Sequence, residues 1–268
     1  MDYIVKTNPD GSVVTVADVQ KVLLEMMKDI DALCRKHDIP YWLYGGSALG
    51  AVRHEGFIPW DDDADIAIMR DDYKRLQAVL PELGEGYVSH CFDTHKAYNV
   101  TIPTMKIRKV GTYIKETNTL LENKITDCDG LFVDVFVFDH ASKNPLIDLP
   151  LRLLNTALMP LIVLFENLNT NPLLLKRWFV HNAILYGKLN RHSDYVGCEL
   201  TWTYKNPLKP YVFKKVDVFP VQYVKFEDTT LPIPAHPHEF LCTSIAPSYM
   251  TPPPEAKRAP KHIVDIRL

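Results

Sequence analysis

Four aspartates crowd one short stretch of this chain. Asp61, Asp62 and Asp63 are consecutive, Asp65 follows, and the apolar run Ile66-Ala67-Ile68-Met69 comes directly after. Carboxylates this close repel one another, and burial would push their pKa values up unless a cation offsets them. A divalent metal with hard oxygen ligands is the simplest offset. The run 63–69 reads as a strand, in which side chains two residues apart point the same way with Cα atoms roughly 6.5 Å apart. On that reading Asp63 and Asp65 share a face and can hold one or two Mg²⁺ (or Mn²⁺) ions. Asp61 and Asp62 precede the strand and read as turn caps or as groups that orient the ligands.

A fifth carboxylate stands alone. Asp134 is the one charge in the apolar run Leu131-Phe-Val-Asp-Val-Phe-Val-Phe138. An ionised side chain in a central strand is strongly penalised without a partner. Either a metal shared with Asp63 and Asp65, or a buried lysine or arginine, would supply one. Upstream of the acidic stretch, Gly45-Gly46-Ser47 closes an apolar segment and leads into a short helical one. Gly46 and Ser47 there offer backbone N–H groups and a positive dipole end to a phosphate, although an ordinary turn uses the same residues.

The elements that must position these groups follow from periodicity. Thr15 and Asp18 form a capping box, and apolar residues from Val16 to Cys34 recur at helical spacing, giving a helix to about His37. A short strand over 39–44 precedes a helix over 48–54. The strand over 63–69 is followed by a helix over 71–83, which Gly84-Glu-Gly86 breaks. Strands are expected over 87–92, 100–108 and 113–116. The continuous apolar character of 131–138 marks a strand buried on both faces. Helices over 146–168 and 173–192 come next, then short strands within 213–234. The Pro-rich tail, with Lys261-His262, reads as irregular chain, and His236-Pro237-His238 as a loop. Trp42, Tyr44 and Trp60 read first as core, with stacking on cytosine or on a quaternary ammonium as the second reading.

Composition narrows the class. The chain has 268 residues, is 47% hydrophobic and carries a net charge of −3, so a sizeable core is expected and a nucleic-acid partner is not. Its five cysteines are widely spaced with no Cys-x-x-Cys pair, against both a disulfide framework and a zinc module. They fit reduced thiols in a cytoplasmic protein. The first residues lack the basic start and apolar core of a signal peptide. The greasiest stretch, Leu153 to Phe165, falls short of the roughly 20 residues a spanning helix needs. With Arg152, Lys176 and Arg177 nearby, 146–178 reads as a helical core or as a peripheral contact on the inner face of the plasma membrane.

A strand, a Gly-Ser turn, a helix and a second strand bearing Asp-x-Asp is the pattern of DNA polymerase β-like nucleotidyltransferases. The run from Gly45 to Arg70, with Leu-Gly-Ala-Val-Arg-His-Glu-Gly-Phe-Ile-Pro-Trp-Asp-Asp-Asp-Ala-Asp, resembles the LicD/fukutin family of phosphotransferases more closely still. The likeness continues through Asp71-Asp-Tyr73, Lys106-Ile-Arg108, Phe132-Val-Asp-Val-Phe136 and the Pro-rich segment before Lys261-His262. It departs where the family has proline and this chain has Val137, and in Ala246-Pro-Ser-Tyr-Met250.

The resemblance implies an α/β (α+β) fold with a mixed, nucleotidyltransferase-like sheet flanked by helices. Residues 1–145 would form the catalytic core. Residues 146–268 would form a helical, Pro-rich part packed on it, on the acceptor side. It implies that Asp63, Asp65 and Asp134 bind metal, and that Gly46 and Ser47, with Asp61, contact the donor. It implies transfer of a phospho-alcohol, phosphocholine first, from a CDP-linked donor to a hydroxyl of a cell-surface glycan or its lipid-linked precursor. Arg53 and Lys106 are then candidates for neutralising phosphate, Asp134 for the general base and His54 for a catalytic partner beside Arg53. Two other readings use the same residues: transfer of NMP from an NTP to a small molecule, and nucleotide binding without catalysis.

Overall fold

A computed structural model describes residues 3–116, 125–198, 200 and 211–268. A hairpin of β1 (Ile4–Thr7) and β2 (Val13–Thr15) opens the chain. Thr15 caps helix α1 (Val16–Lys36) in a complete capping box with Asp18, and the helical-period stripe Val19, Leu23, Met26 and Ile30 is buried in the main core. Next come β3 (Tyr41–Leu43), α2 (Gly45–His54), β4 (Asp65–Met69), α3 (Arg70–Val79) and a 3₁₀ turn over Leu80–Leu83. They are followed by β5 (Tyr87–Cys91), β6 (Met105–Lys109), β7 (Tyr113–Glu116) and β8 (Phe132–His140). After helices α4 (Pro145–Asn167) and α5 (Leu173–Leu189) the chain forms β9 (Tyr195–Cys198), β10 (Val212–Lys214) and the short α6 (Lys215–Val218). The hairpin β11 (Gln222–Phe226) and β12 (Thr229–Ile233), helix α7 (Pro237–Ser244) and β13 (Ile263–Arg267) complete it.

Strand β8 is the hub of a seven-stranded mixed sheet. β4 runs parallel along one edge of it, with Asp65 opposite Asp134. Along the other edge β6 is antiparallel, with Lys106 opposite Asp134, and β9 takes over at residues 138–140. β3 lies beyond β4, β5 beyond β6, and β10 beyond β9. A strand paired on both edges and covered on both faces has to be apolar almost throughout. Val133, Val135 and Val137 enter the main core with Leu43 and Ile66, while Phe136 and Phe138 enter a smaller one with Trp42, Tyr44 and Phe240. Trp42 and Tyr44 are thus core residues. The helix-flanked mixed sheet is the α+β, nucleotidyltransferase-like architecture expected.

Several expectations are corrected. β4 begins at Asp65, so Asp63 precedes the strand and strand alternation does not place it. The ladder does reach back to residue 64, where Asp134 N–H donates to Ala64 C=O at 2.9 Å, but 61–63 turn toward the C-terminal segment. β6 begins at Met105 because Asn99 and Thr101 close a local turn ahead of Pro103. Helix α2 begins at Gly45, so Gly46 and Ser47 are its second and third residues. His236 precedes helix α7 and His238 lies inside it. The tail is not irregular throughout: β13 pairs antiparallel with β7.

Helix α4 is 23 residues long, and by length and composition alone it is long and apolar enough to cross a membrane, beyond the stretch counted from sequence. The boundary at 145/146 falls just inside the start of α4, and β9 and β10 then return to the central sheet.

Candidate active site

The acidic stretch closes over the start of α2. Gly45 opens that helix at φ +52°, and a Cβ added to it would lie 2.6 Å from Asp65 Oδ2; one added to Gly46 would lie 2.3 Å from Asp61 Oδ2. The two carboxylates therefore rest on the first turn of the helix, in space that any side chain would occupy. Its positive end favours their negative charge. Ser47 is buried, and its Oγ accepts the Asp65 N–H at 2.9 Å, fixing the start of β4. The Gln20 side-chain amide donates to Ile58 and Asp61 carbonyls, each at 2.8 Å, and holds the turn that delivers the acids.

Asp65 and Asp134 are register partners on parallel strands, and Lys106 is the register partner of Asp134 on its other side. Paired residues in a sheet project to the same face, so Asp65, Asp134 and Lys106 form one row across three strands. Lys106 Nζ lies 3.0 Å from Asp134 Oδ1 and 3.0 Å from Glu116 Oε1. Arg108 Nη2 reaches Glu116 Oε2 at 3.4 Å. The buried-lysine reading of Asp134 is therefore realised among the described residues. The contact to Asp134 is off hydrogen-bond angle, and Oδ1 is fully covered without a hydrogen-bond donor.

The four acids of the stretch have distinct surroundings. Asp62 is 2% exposed and clasps the tail. Its oxygens accept the N–H groups of Lys261, His262 and Ile263 at 3.0–3.3 Å, and His262 Nδ1 lies 2.9 Å away. His262 Nδ1 is also 3.2 Å from Asp63 Oδ2. One donor atom each from Asp61, Asp63 and His262 lie within 4.8 Å of one another.

Electrostatics follow from this. Burial, then repulsion from Asp63, pushes the Asp61 carboxyl up to about 7. Burial raises Asp63, although His262 draws it back, and burial with repulsion from Asp63 and Asp134 holds Asp65 far above the usual carboxylate range. Burial lifts Asp134 to about 6 against the pull of Lys106. Asp62 is the exception. Burial alone would raise it, but the His262 hydrogen bond and charge and the backbone donors hold it low. The hydrogen bond that His262 donates to Asp62, reinforced by the charges of Asp63 and Asp61, lifts His262 to about 9.

The cations expected to meet phosphate are engaged as follows. Lys106 is 4% exposed and committed to Asp134 and Glu116. Arg53 Nε donates to His54 Nε2 at 2.9 Å, and its Nη1 to Tyr249 C=O at 2.8 Å. Burial lowers the Arg53 pKa, and the nearby Asp61 opposes this. Trp60 is half-buried, with the guanidiniums of Arg53 and Arg258 at 6.0 and 5.1 Å from its ring. His54 packs edge-on to Trp60 at 6.1 Å, and burial then Arg53 hold its pKa low. Sequence reasoning missed His262 and Glu116. The available signal was a basic pair, Lys261-His262, after a proline-rich stretch, in a chain with an acidic run needing counter-charge.

The hard carboxylate oxygens, the raised pKa values and the covered Asp134 Oδ1, which among the described residues has the Lys106 ammonium nearby but no aligned hydrogen bond, together fit a divalent cation. Residues 38–148 match the family described as "LicD/FKTN/FKRP, nucleotidyltransferase domain". Over 273 residues the chain is 30% identical to the lipopolysaccharide cholinephosphotransferase LicD of Haemophilus influenzae, spanning 93% of this chain and 96% of that protein. The chain belongs to the LicD family. It is also similar to the ribitol 5-phosphate transferase FKRP of human and mouse, 40% identical over 52 residues, 19% of this chain and 10% of theirs. An uncharacterized protein of Rickettsia prowazekii, RP689, is 35% identical over 122 residues, 44% of this chain and 42% of its own.

Proposed function

We propose that this protein transfers a phospho-alcohol, phosphocholine first among them, from a CDP-linked donor to a glycan hydroxyl. The observation that carries the reading is the row Asp65–Asp134–Lys106 across β4, β8 and β6, beside the glycine-only start of α2. Both named relatives move phosphorylated alcohols, and one of them spans nearly the whole chain.

Asp63, Asp65 and Asp134 would hold Mg²⁺ or Mn²⁺, which when bound offsets charge on a diphosphate. The start of α2 at Gly46, with the charge of Arg53 nearby, receives the donor phosphates in this reading. Asp61 completes the donor pocket from the other side of that helix start. Asp134 serves as the base. Its Oδ1, which faces Lys106, would also be the oxygen toward the metal, leaving Oδ2 to take the proton of the attacking hydroxyl. Trp60, beneath Arg53 and Arg258, presents an aromatic face to the donor base or to a quaternary ammonium.

The test is incubation with CDP-choline, Mg²⁺ and a glycan acceptor, following CMP release and product mass. Asp65→Asn and Asp134→Asn are each expected to lower turnover by about a hundredfold or more. CMP release unchanged in both would overturn the site. NMP rather than phosphocholine on the product would replace the proposed reaction by nucleotidyl transfer.

A further inference from the structure

Helices α4 and α5 are packed inside out. The acids of 141–193 number two, Asp148 and Glu166, and both are buried. Asp148 accepts two hydrogen bonds from the buried Arg152, at 2.8 and 2.6 Å, and one from the Tyr186 hydroxyl at 2.5 Å. Glu166 pairs with the buried Lys176, whose Nζ also donates to the Tyr98 carbonyl at 3.0 Å. Asn155 donates to Phe179 C=O and accepts from Asn182. The polar groups of α4 thus join it to α5 and to the loop before β6.

The outer face is the reverse. Leu146, Leu153, Leu161, Leu164, Phe165 and Leu168 are exposed, Leu146 by 85% and Leu168 by 65%. Their spacing of three, four, seven or eight residues forms one stripe along the whole of α4. No charge interrupts it. α5 continues the surface with Leu174, Trp178, Leu185 and Leu189. It also supplies exposed cations: Arg177 and Lys188 on the helix, Lys143 and Arg191 just outside the pair. None of these four has a carboxylate partner among the described residues. An apolar stripe of this length, edged by lysine, arginine and tryptophan and free of exposed acids, carries the composition of a helix lying in a bilayer interface.

We infer that the outer face of α4 and α5 docks in the plane of an anionic lipid bilayer. Over 141–193 every exposed lysine and arginine lacks an exposed acid beside it in sequence, and Asp194 follows only at the far end; this excess of positive charge selects a negatively charged surface over a second copy of this chain, whose matching face carries the same sign. The buried polar links to α5 argue against a lone spanning α4, which would strip Asp148 of Tyr186 and Glu166 of Lys176 and carry the Asp148–Arg152 pair into hydrocarbon. Held this way, the protein meets acceptors carried on membrane lipid by a two-dimensional search. The docking itself does not depend on the reaction proposed above.

The test is vesicle flotation of the full chain, on phosphatidylcholine alone and on phosphatidylcholine with about 30% phosphatidylglycerol. Binding to the anionic vesicles is expected, with at least about a tenfold loss at 1 M salt or on neutral vesicles. Leu161→Glu/Leu164→Glu is expected to weaken it by at least about tenfold. Arg177→Glu/Lys188→Glu keeps the apolar stripe and is expected to remove the preference for anionic lipid. Circular-dichroism melts establish that both variants are folded. Three results would each overturn the inference: no flotation of the folded protein with anionic vesicles, a dimer by light scattering that Leu161→Glu/Leu164→Glu converts to monomer without any vesicle binding, or resistance to alkaline carbonate extraction from native membranes.

Discussion

Replacing Gly45 by alanine should cost both stability and the placement of Asp65. Gly45 sits at φ +52°, where a Cβ costs about 1–2 kcal/mol. Alanine recovers part of this, about 0.4–1 kcal/mol, by restricting the unfolded chain. The new Cβ would also meet Asp65 Oδ2 at 2.6 Å, so the carboxylate must leave its position, at about 0.5–1.5 kcal/mol for an off-rotamer side chain. The net loss is about 1–2 kcal/mol, a fall in Tm of roughly 2–6 °C for a chain of this size. Urea unfolding in EDTA measures it, with an unchanged m-value showing that stability rather than compactness has moved. The steric part belongs to Asp65 alone, so Gly45→Ala should cost about 0.5–1.5 kcal/mol less in an Asp65→Ala background than in the wild-type chain. Gly86→Ala, with open space around its Cβ, is the control and should show only the unfolded-chain gain of about 0.4–1 kcal/mol. Additivity of Gly45→Ala and Asp65→Ala within about 0.3 kcal/mol would refute the contact between Asp65 and the helix start.

Three further outcomes are expected. In EDTA, Asp61 and Asp134, raised to about 7 and about 6, oppose folding as they ionise, so stability falls as pH climbs from 4 through 7. His262, raised from 6.5 to about 9, contributes stability that is full below 6.5 and lost as pH rises through 9. Thermal melts should show both limbs, and His262→Ala should remove the upper one. Asp62→Ala strands the donors of 261–263 and should cost about 2–4 kcal/mol, with trypsin cutting after Lys261 first; a tail as resistant as in the parent would contradict the clasp. Lys106→Met leaves Asp134 and Glu116 without their shared ammonium and should cost about 3–5 kcal/mol by urea unfolding, recovered in part at pH 5, where Asp134 is protonated.

What the sequence disclosed was local. The Thr15–Asp18 box and the stripe from Val16 located α1 to within a residue or so, and the apolar run around Asp134 marked β8, because both signals repeat over neighbouring residues. The site was legible as far as Asp65, Asp134 and the glycines, since a lone charge in a central strand and an acidic run before one are visible anomalies. Placing Asp63 by alternation failed because the strand begins at Asp65. The tail was misread for a different reason. β13 pairs with β7 about 150 residues earlier, and Asp62 holds His262 across 200 residues; no periodicity encodes such pairings. The Pro-rich stretch itself is irregular apart from a 3₁₀ turn over Glu255–Lys257, and the strand that composition did not signal follows it at Ile263–Arg267.

Those long-range pairings explain why the chain tolerates so many acids together. Asp62 is removed from the repulsion by four donors and stays ionised. Asp61 and Asp65 rest on the start of α2, where the glycines let them approach unsatisfied N–H groups. Asp63 has His262, and Asp134 has Lys106. The five carboxylates thus draw positive charge from three places: the start of α2 for Asp61 and Asp65, the tail at His262 for Asp62 and Asp63, and Lys106 on β6 for Asp134. On the proposed reading, a divalent cation at Asp63, Asp65 and Asp134 would have to compete with a histidine and a lysine already in place, and its affinity would depend as much on how readily those two side chains yield as on the number of carboxylates. His262 and Lys106 would then tune cation affinity, and truncating either is expected to tighten binding of the metal alone, measured by calorimetry, even where it weakens the fold.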